Sequence, residues 1–560
     1  MSIGRYLMKY FIGLLLFLLI ISTIGFAGGV VFHTIEPPLP QINGNFGEFV
    51  SGVGDADGDG YDDILIGAFK EYGGITHSGK AYLFSGENGG LLDQLLSPDP
   101  EMWGWFGTSG AGIDDIDGDG CADLLIGACR ENGGASYSGR VHIFSGQAGE
   151  LMYSLQSLNP VSSGWFGYSV SGAGDVDADG SPDIVIGATY EDAPYNRSGR
   201  AYVFDGFSGD LKYDLKSPNA IEDGCFGVAV CGIGDVDGDG CGDIAVGAQN
   251  DHGPATYSGR VYVFSGCQGA LIRALQSPLP ESVGAFGGSI ASAGDITGDG
   301  VPDIIVGAWA QDGGAEDAGR VYVFCGITGA VIHILESPAP ENGGYFGLQV
   351  SSLCDVNGDG YPDIAVGACR EDAPVSGSGR VYLFCGKTGN LLFPLESPNP
   401  DINGQFGYSL SDGPDMNCNG FPDIIVGATG ENIASTNSGK AYVFELMPVT
   451  FPVSHSLMDG SLELQWDALP GTQFHWVFGE SNHAYFDPDI DTFVNRIAVL
   501  PGAQTTWSSS SGIGSEAEQW SYIVIAVDEM DLEISRSMEI GEFDFYTPVR
   551  LDRSPKNSKR

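Results

Sequence analysis

The chain has 560 residues, of which 87 are glycine, about twice the usual share. With 42 % apolar and 11 % aromatic residues it can bury a core, which excludes a disordered polymer, and its glycines lack the three-residue period of collagen. Acidic residues number 73 against 24 basic ones, a formal net charge of −49 that repels phosphate backbones and anionic lipid and so argues against nucleic-acid and membrane-surface partners.

The chain opens on Arg5 and Lys9, an apolar run from Tyr10 to Ile24, and Gly25-Phe26-Ala27. A charged stretch, an apolar stretch and a small-x-small site predict a secretory signal peptide over residues 1–27. The run is shorter than the ~20 residues of a typical membrane span, which weighs against an uncleaved anchor. Nothing later is apolar enough to cross a membrane, so no span is expected after cleavage. Export permits disulfides, but the eleven cysteines are odd in number.

A sixty-residue period follows. Phe-Gly recurs at Phe46, Phe106, Phe166, Phe226, Phe286, Phe346 and Phe406, without insertion or deletion. Each copy continues with an Asp-rich loop, a Gly-Ala strand, a polar loop, a strand opening on Arg or Lys, and an apolar run ending near Ser-Pro. In the third copy the short runs Tyr168–Gly174, Asp183–Gly187, Arg200–Phe204 and Asp210–Leu215 lie between Gly, Pro, Asp and Asn. Four strands per copy predict an all-β, seven-bladed β-propeller over residues 28–447. The seventh copy lacks its fourth strand. Gly29–Glu36 aligns with Gly329–Glu336, so the N-terminal strand is expected to complete the last blade and close the ring.

After Met447 the period vanishes. Runs at Ser461–Trp466, Phe474–Gly479, Ser521–Val527 and Ile540–Phe545 predict a β-sandwich over 448–548, followed by a basic, disordered tail at 549–560.

The Asp loops carry the chemistry. In the first, Asp55, Asp57, Asp59 and Asp63 supply oxygens at positions 1, 3, 5 and 9, Tyr61 offers a backbone carbonyl at position 7, and Gly60 permits the reversal at position 6. The second offers Asp115, Asp117, Asp119, Cys121 and Asp123; the third Asp175, Asp177, Asp179, Ser181 and Asp183. The fourth offers Asp235, Asp237, Asp239, Cys241 and Asp243; the fifth Asp295, Thr297, Asp299, Val301 and Asp303. The sixth has Asp355, Asn357, Asp359, Tyr361 and Asp363; the seventh Asp415, Asn417, Asn419, Phe421 and Asp423, with only two carboxylates. Side-chain ligands that are all oxygen favour Ca²⁺ over Zn²⁺ or Cu²⁺, and the large flexible set disfavours Mg²⁺, so up to seven Ca²⁺ ions are expected. A metal-free Asp/Gly turn is the competing reading, but it must hold four carboxylates together without a counter-ion.

Phe-Gly, the Asp loop and Gly-Ala at seven copies of 60 resemble the FG-GAP repeats of the integrin α-chain propeller and of secreted bacterial proteins. The resemblance implies Ca²⁺ loops between the first and second strands on one face, and ligands on the opposite face. Two departures stand out: the family's Gly-Ala-Pro is here Gly-Ala-x, and Ala178 replaces a loop glycine. Trp520–Asp528 and Ser461–Trp466 look like the sixth and second strands of a fibronectin type III domain.

Other signals are weaker. Lys80, Arg140, Arg200, Arg260, Arg320, Arg380 and Lys440 open the third strands, with an acid nine residues before each except at Gln311, and these are expected to pair. Equivalent cysteines in different blades are too far apart to bridge and read as small core residues. Trp103, Trp105 and Trp165 lie on neighbouring connections into Phe-Gly. They are candidates for a ligand platform, or else pack between blades. The histidines form no catalytic grouping, and no nucleophile elbow or phosphate loop is present. The expected function is a secreted or cell-surface, non-catalytic, Ca²⁺-stabilised module for adhesion or ligand recognition, its partner an extracellular protein or glycan. A carbohydrate-active enzyme on a propeller scaffold, or a structural matrix or surface-layer component, are the alternatives.

Overall fold

The computed structural model describes residues 29–413, 415–416, 422–433 and 436–446, and seven strands of the C-terminal segment. Gly29–Leu446 form one compact unit and Met447–Arg560 belong to a second. The predicted signal peptide 1–27, the strand Ile540–Phe545 and the tail 549–560 lie outside the described residues.

The first unit is a ring of seven four-stranded antiparallel sheets. In blade one Val50–Gly52 is innermost, followed outward by Ile64–Ala68, Lys80–Phe84 and Leu91–Leu95. The two middle strands are buried along their whole length because a neighbouring blade covers each face, which explains their continuous Ile/Leu/Val/Ala runs. The outer strand sits at the perimeter, and its exposed positions are correspondingly mixed. The seventh sheet takes Phe406–Gly413, Asp423–Ala428 and Lys440–Glu445 from its own copy and Val30–Ile35 from the N-terminus. Val31 faces Phe444 and Ile35 faces Ala441 in that register, so the expected closure is found.

Each Phe of Phe-Gly is fully buried and stands edge-on to the Phe ending the third strand of its own blade. For Phe46 and Phe84 the ring centroids are 6.1 Å apart at 90°. Core clusters run across blade boundaries. One joins Leu65 and Leu83 of blade one to Phe106 and Ile126 of blade two. Another joins Ile425 and Val443 of blade seven to Phe46 and Ile66 of blade one. Two glycines show why the motif reads as it does. A Cβ on Gly67 would lie 2.3 Å from the Gly107 carbonyl oxygen of the next blade. One on Gly79, at φ +89°, would lie 1.9 Å from the Phe106 carbonyl oxygen. The blades abut through bare backbone at these points, so a side chain would pry them apart.

In the C-terminal segment Val453–Met458, Ser461–Trp466 and Thr506–Ser508 form a three-stranded sheet. Arg496–Pro501, Phe474–Ser481, Trp520–Val527 and Glu533–Arg536 form a second sheet in that order. The strands expected at 461–466, 474–479 and 521–527 fall within these.

Candidate metal loops and the opposite face

Antiparallel blades put the loops between first and second strands on one face, beside the turns between third and fourth strands. In blade one the Asp55 carboxylate accepts the Gly58 and Gly60 amides at 2.7 and 2.9 Å. Asp57 and Asp59 each accept the amide two residues on, at 3.0 and 2.9 Å. Gly60 adopts φ +93° with nothing near its would-be Cβ, so backbone conformation rather than crowding demands glycine there. Asp63 is buried and does more. Its Oδ2 accepts the Ala56 and Asp57 amides at 3.0 and 3.1 Å, and its Oδ1 accepts Gly86 of the third-to-fourth turn at 3.2 Å. The ninth position is therefore a staple between loop and sheet as well as a candidate oxygen donor, a role the spacing alone did not reveal.

These hydrogen bonds draw the carboxylates together. Oxygens of Asp55, Asp57 and Asp63 lie within 4.8 Å of one another, as do those of Asp115, Asp117 and Asp123; Asp175, Asp177 and Asp183; and Asp235, Asp237 and Asp239. Burial, reinforced by neighbouring aspartates, pushes the Asp63 carboxyl up to about 7, Asp123 to about 6 and Asp363 to about 8. A cation among them would relieve that cost, and the donor set suits a hard divalent ion. Blade five keeps the loop hydrogen bonds to Asp295, Asp299 and Asp303, with the Thr297 hydroxyl 3.4 Å from Asp295. In blade six Asp355 and Asp359 do the same, while Asn357 turns its amide nitrogen to Asp363 at 3.1 Å. In blade seven Asp423 accepts the Met416 amide at 2.9 Å; Asn417, Asn419 and Phe421 lie outside the described residues. The position-seven residues Tyr61, Cys121, Ser181, Cys241, Val301 and Tyr361 all donate their amides to the position-five aspartate.

Two expectations need correction. Cys241 does not rest as a free core thiol, for it forms a disulfide with Cys267. The partner sits on the third-to-fourth turn of the same blade, where the loops already meet through the ninth-position staple, so the bridge is local rather than between blades. The strand-opening bases, moreover, only partly pair with the acid nine residues before them. Lys80, Arg200 and Arg380 reach it at 3.5, 3.7 and 3.8 Å, whereas Arg140 pairs with Asp99 and Lys440 with Glu36; Arg320, in the copy with Gln311, pairs with Glu281 and Glu336. The acid's closer partner is the aromatic residue two beyond the base. Tyr82, Tyr202 and Tyr262 donate to Glu71, Glu191 and Asp251 at 2.5, 2.6 and 2.7 Å, and His142 meets Glu131 at 2.9 Å. A tyrosine inside an apolar strand gave the signal, since its hydroxyl needs a partner when buried.

The opposite face carries the three tryptophans. The Trp103 amide donates to the Thr76 carbonyl on blade one's second-to-third loop, which fixes that face. Trp103 is 40 % exposed and stacks on the His77 ring at 4.2 Å. Trp105 and Trp165 are half-buried and touch each other at 5.9 Å across a blade boundary. Phe69 meets Trp105 at 5.1 Å and Tyr190 meets Trp165 at 4.7 Å. Arg130 lies 4.2 Å over Trp105, Arg197 lies 4.2 Å over Tyr190, and Arg370 lies 4.6 Å over Tyr345. An open depression of about 460 Å³ lies beside Trp165, walled by Tyr190, Asp192 and Arg197. The Trp105 and Trp165 indole nitrogens have no hydrogen-bond partner among the described residues.

Comparison with known families decides what this ring is. The FG-GAP repeat model matches residues 46–84, 106–144, 166–204, 226–264, 286–324, 346–384 and 406–444. The chain carries seven FG-GAP repeats. Each match starts at the buried Phe and ends at the Phe it packs against, so the FG-GAP unit is the three inner strands of a blade plus its Asp loop. The chain is similar to integrin alpha-PS5 of Drosophila melanogaster, 34 % identical over 203 residues, which is 34 % of this chain and 19 % of that one. Integrin alpha-3 of Cricetulus griseus is 30 % identical over 221 residues, 37 % of this chain and 20 % of its own. Integrin alpha-5 of Xenopus laevis is 30 % identical over 268 residues, 43 % and 24 % respectively. The chain thus spans about a fifth of the length of the curated relatives it matches.

Proposed function

We propose that the protein is a secreted or cell-surface, calcium-binding, non-catalytic adhesion or ligand-recognition module. Its leader is residues 1–27, its propeller 28–447, and residues 448–548 form a fibronectin type III-like sandwich. The observation that carries this reading is the recurrence of one oxygen-donor loop in every FG-GAP repeat, with carboxylates of blades one to four already converged. When bound, Ca²⁺ neutralises the loops and ties the first strand to the second; the chain's own aspartates hold and orient those loops through backbone amides.

The recognition surface is the face opposite the ions. It is aromatic, with Arg130 and Arg370 stacked on its rings and Arg197 stacked on Tyr190 while paired with Asp223. Stacked rings suit the flat faces of sugars or the anchors of a protein partner. The test is a glycan and extracellular-protein binding array on the exported chain, read for retention and for turnover. Saturable binding without product supports the reading. Release of product from a bound glycan would replace it with an enzymatic one.

A further inference from the structure

Blade three combines three departures from the usual repeat that converge on one loop. The outer-strand residue at one repeat position is apolar elsewhere: Phe32, Leu92, Met152, Ile272, Ile332 and Leu392. In blade three it is Lys212. The residue ending or following the third strand is Ser85, Ser145, Ser265, Cys325 or Cys385 in blades one, two, four, five and six, and Glu445 in blade seven. In blade three it is Asp205. Ala178 stands where blades one, two, four, five and six have glycine, at φ +58°.

The structure gives these changes a common sense. Ser145 and Ser265 donate their hydroxyls to the position-five aspartates Asp119 and Asp239 at 3.3 and 3.0 Å. Asp205 cannot do so, because an ionised carboxylate only accepts, and it stands beside Asp179 as a like charge. Lys212 supplies what is missing. Its ammonium lies 3.3 Å from Asp179 Oδ2 and 3.0 Å from Asp205 Oδ2, and it donates to Asp177 Oδ2. All three of its donors are therefore spent on carboxylates, two of them at positions three and five of the loop. The lysine side chain is 19 % exposed, so this is a partly desolvated contact rather than a surface pair screened by water.

We infer that Lys212 is a built-in cation that competes with metal for the third Asp loop, leaving that loop metal-free at calcium concentrations that fill the loops of blades one, two and four. The ammonium engages Oδ2 of both the position-three and the position-five carboxylate, leaving Asp177 Oδ1 without a hydrogen-bond partner among the described residues. An ion among the converged Asp175, Asp177 and Asp183 oxygens would share two of the loop's four carboxylates with the ammonium and face its positive charge. By carboxylate count the third loop ranks with the first, second and fourth; by geometry it ranks below them. The inference rests on the calcium reading proposed above for the other blades.

The test is a count of bound ions on the full chain by native mass spectrometry at sub-millimolar Ca²⁺. The wild type is compared with the double variant Asp205→Ser/Lys212→Met, which installs the Ser145 and Met152 pair of blade two. The expected result is one more ion on the double variant, with at least tenfold tighter binding at the added site. Equal non-zero counts would overturn the inference and leave calcium binding standing; no ion on either protein would overturn both. A second measurement needs no variant. Anomalous density from wild-type crystals grown in the same low Ca²⁺ is expected at the loops of Asp55, Asp115 and Asp235 and absent between Asp175 and Asp183. An ion at the third loop with the same occupancy as its neighbours would refute the inference even if the double variant fails to fold.

Discussion

Tyr202 donates its hydroxyl to Glu191 Oε2 at 2.6 Å inside blade three, and the glutamate is wholly buried. Burial, eased by Ser157, Tyr202 and Arg200, pushes the Glu191 carboxyl from 4.5 up to about 7, and Glu431 is pushed to about 7 in the same setting. The folded chain then holds protons that the unfolded chain has released between pH 4.5 and 7. The corresponding stability is present below pH 4.5 and is lost as pH rises through 7. In saturating Ca²⁺, which removes the loop aspartates from the titration, the melting temperature should fall between pH 5 and pH 8. Glu191→Gln combined with Glu431→Gln should flatten that slope, and an unchanged slope would refute the assignment. Blade five already shows the amide works: Gln311 accepts Tyr322 at 2.5 Å and donates to Ser277 at 2.9 Å.

The two kinds of loop aspartate should separate on mutation. Asp123 accepts the Ile116 amide at 2.9 Å and the Gly146 amide at 3.2 Å, whereas Asp117 accepts only the exposed Asp119 amide at 3.1 Å. Asp123→Ala should cost about 1–3 kcal/mol per stranded amide with or without EDTA. Asp117→Ala should cost stability only when Ca²⁺ is present. Denaturant melts in both conditions check this, and equal EDTA dependence for the two variants would contradict it.

Chelation itself should lower the wild-type melting temperature by several degrees in low salt, since ions bound with Kd of about 10⁻⁴–10⁻³ M stabilise by mass action. Calorimetry with and without EDTA measures it. A superimposable pair of scans would remove calcium from the account of the fold.

The Cys241–Cys267 bridge closes a loop of sequence separation 26, and chain entropy sets its worth at about 3.5 kcal/mol. Alkylation of the unreduced, denatured chain should leave these two cysteines unmodified, and a peptide map should recover them linked. Cys241→Ser should lower the denaturation midpoint in oxidising buffer and leave it unmoved after reduction of the wild type used for comparison.

Among the tryptophans, Trp103→Ala removes an exposed ring stacked on His77 and should change stability by less than about 0.5 kcal/mol. Trp105→Ala opens a gap between Phe69, Arg130 and Trp165 and should cost about 2 kcal/mol. Loss of binding from Trp103→Ala at unchanged melting temperature would mark it as a ligand contact. Loss of stability alone from Trp105→Ala would mark packing.

Most of the ring was legible because its signals are periodic and local. Phe46, Gly67 and Gly79 recur since each blade must meet its neighbour through the same bare backbone, and the alignment of Gly29–Glu36 with an outer strand exposed the closure. What escaped notice departs from the repeat or crosses between loops. Cys267 occupies a turn position held by Glu87, Gln147, Phe207, Ile327 and Lys387 elsewhere, so no pattern pointed to its partner. Lys212 and Asp205 were visible as odd members of their columns, but only coordinates join two columns about seven residues apart to a loop about thirty residues upstream. The expected base–acid pairs form in three blades, but charge alone did not point to the closer Tyr hydroxyl that burial places on the same acid.

The strand Val30–Ile35 emerges from synthesis before any other part of the ring, yet its neighbour Lys440–Glu445 is made about four hundred residues later. Until then the first strand has no lateral hydrogen-bonding partner, and a chain interrupted anywhere in the array keeps a bare edge at blade seven's place. Completion is thereby read out in space: only a polypeptide translated through Glu445 can satisfy its own beginning. Quality control that senses unpaired strand edges would retain every shorter product, so truncated forms should be found as aggregates or degradation intermediates rather than as smaller working rings.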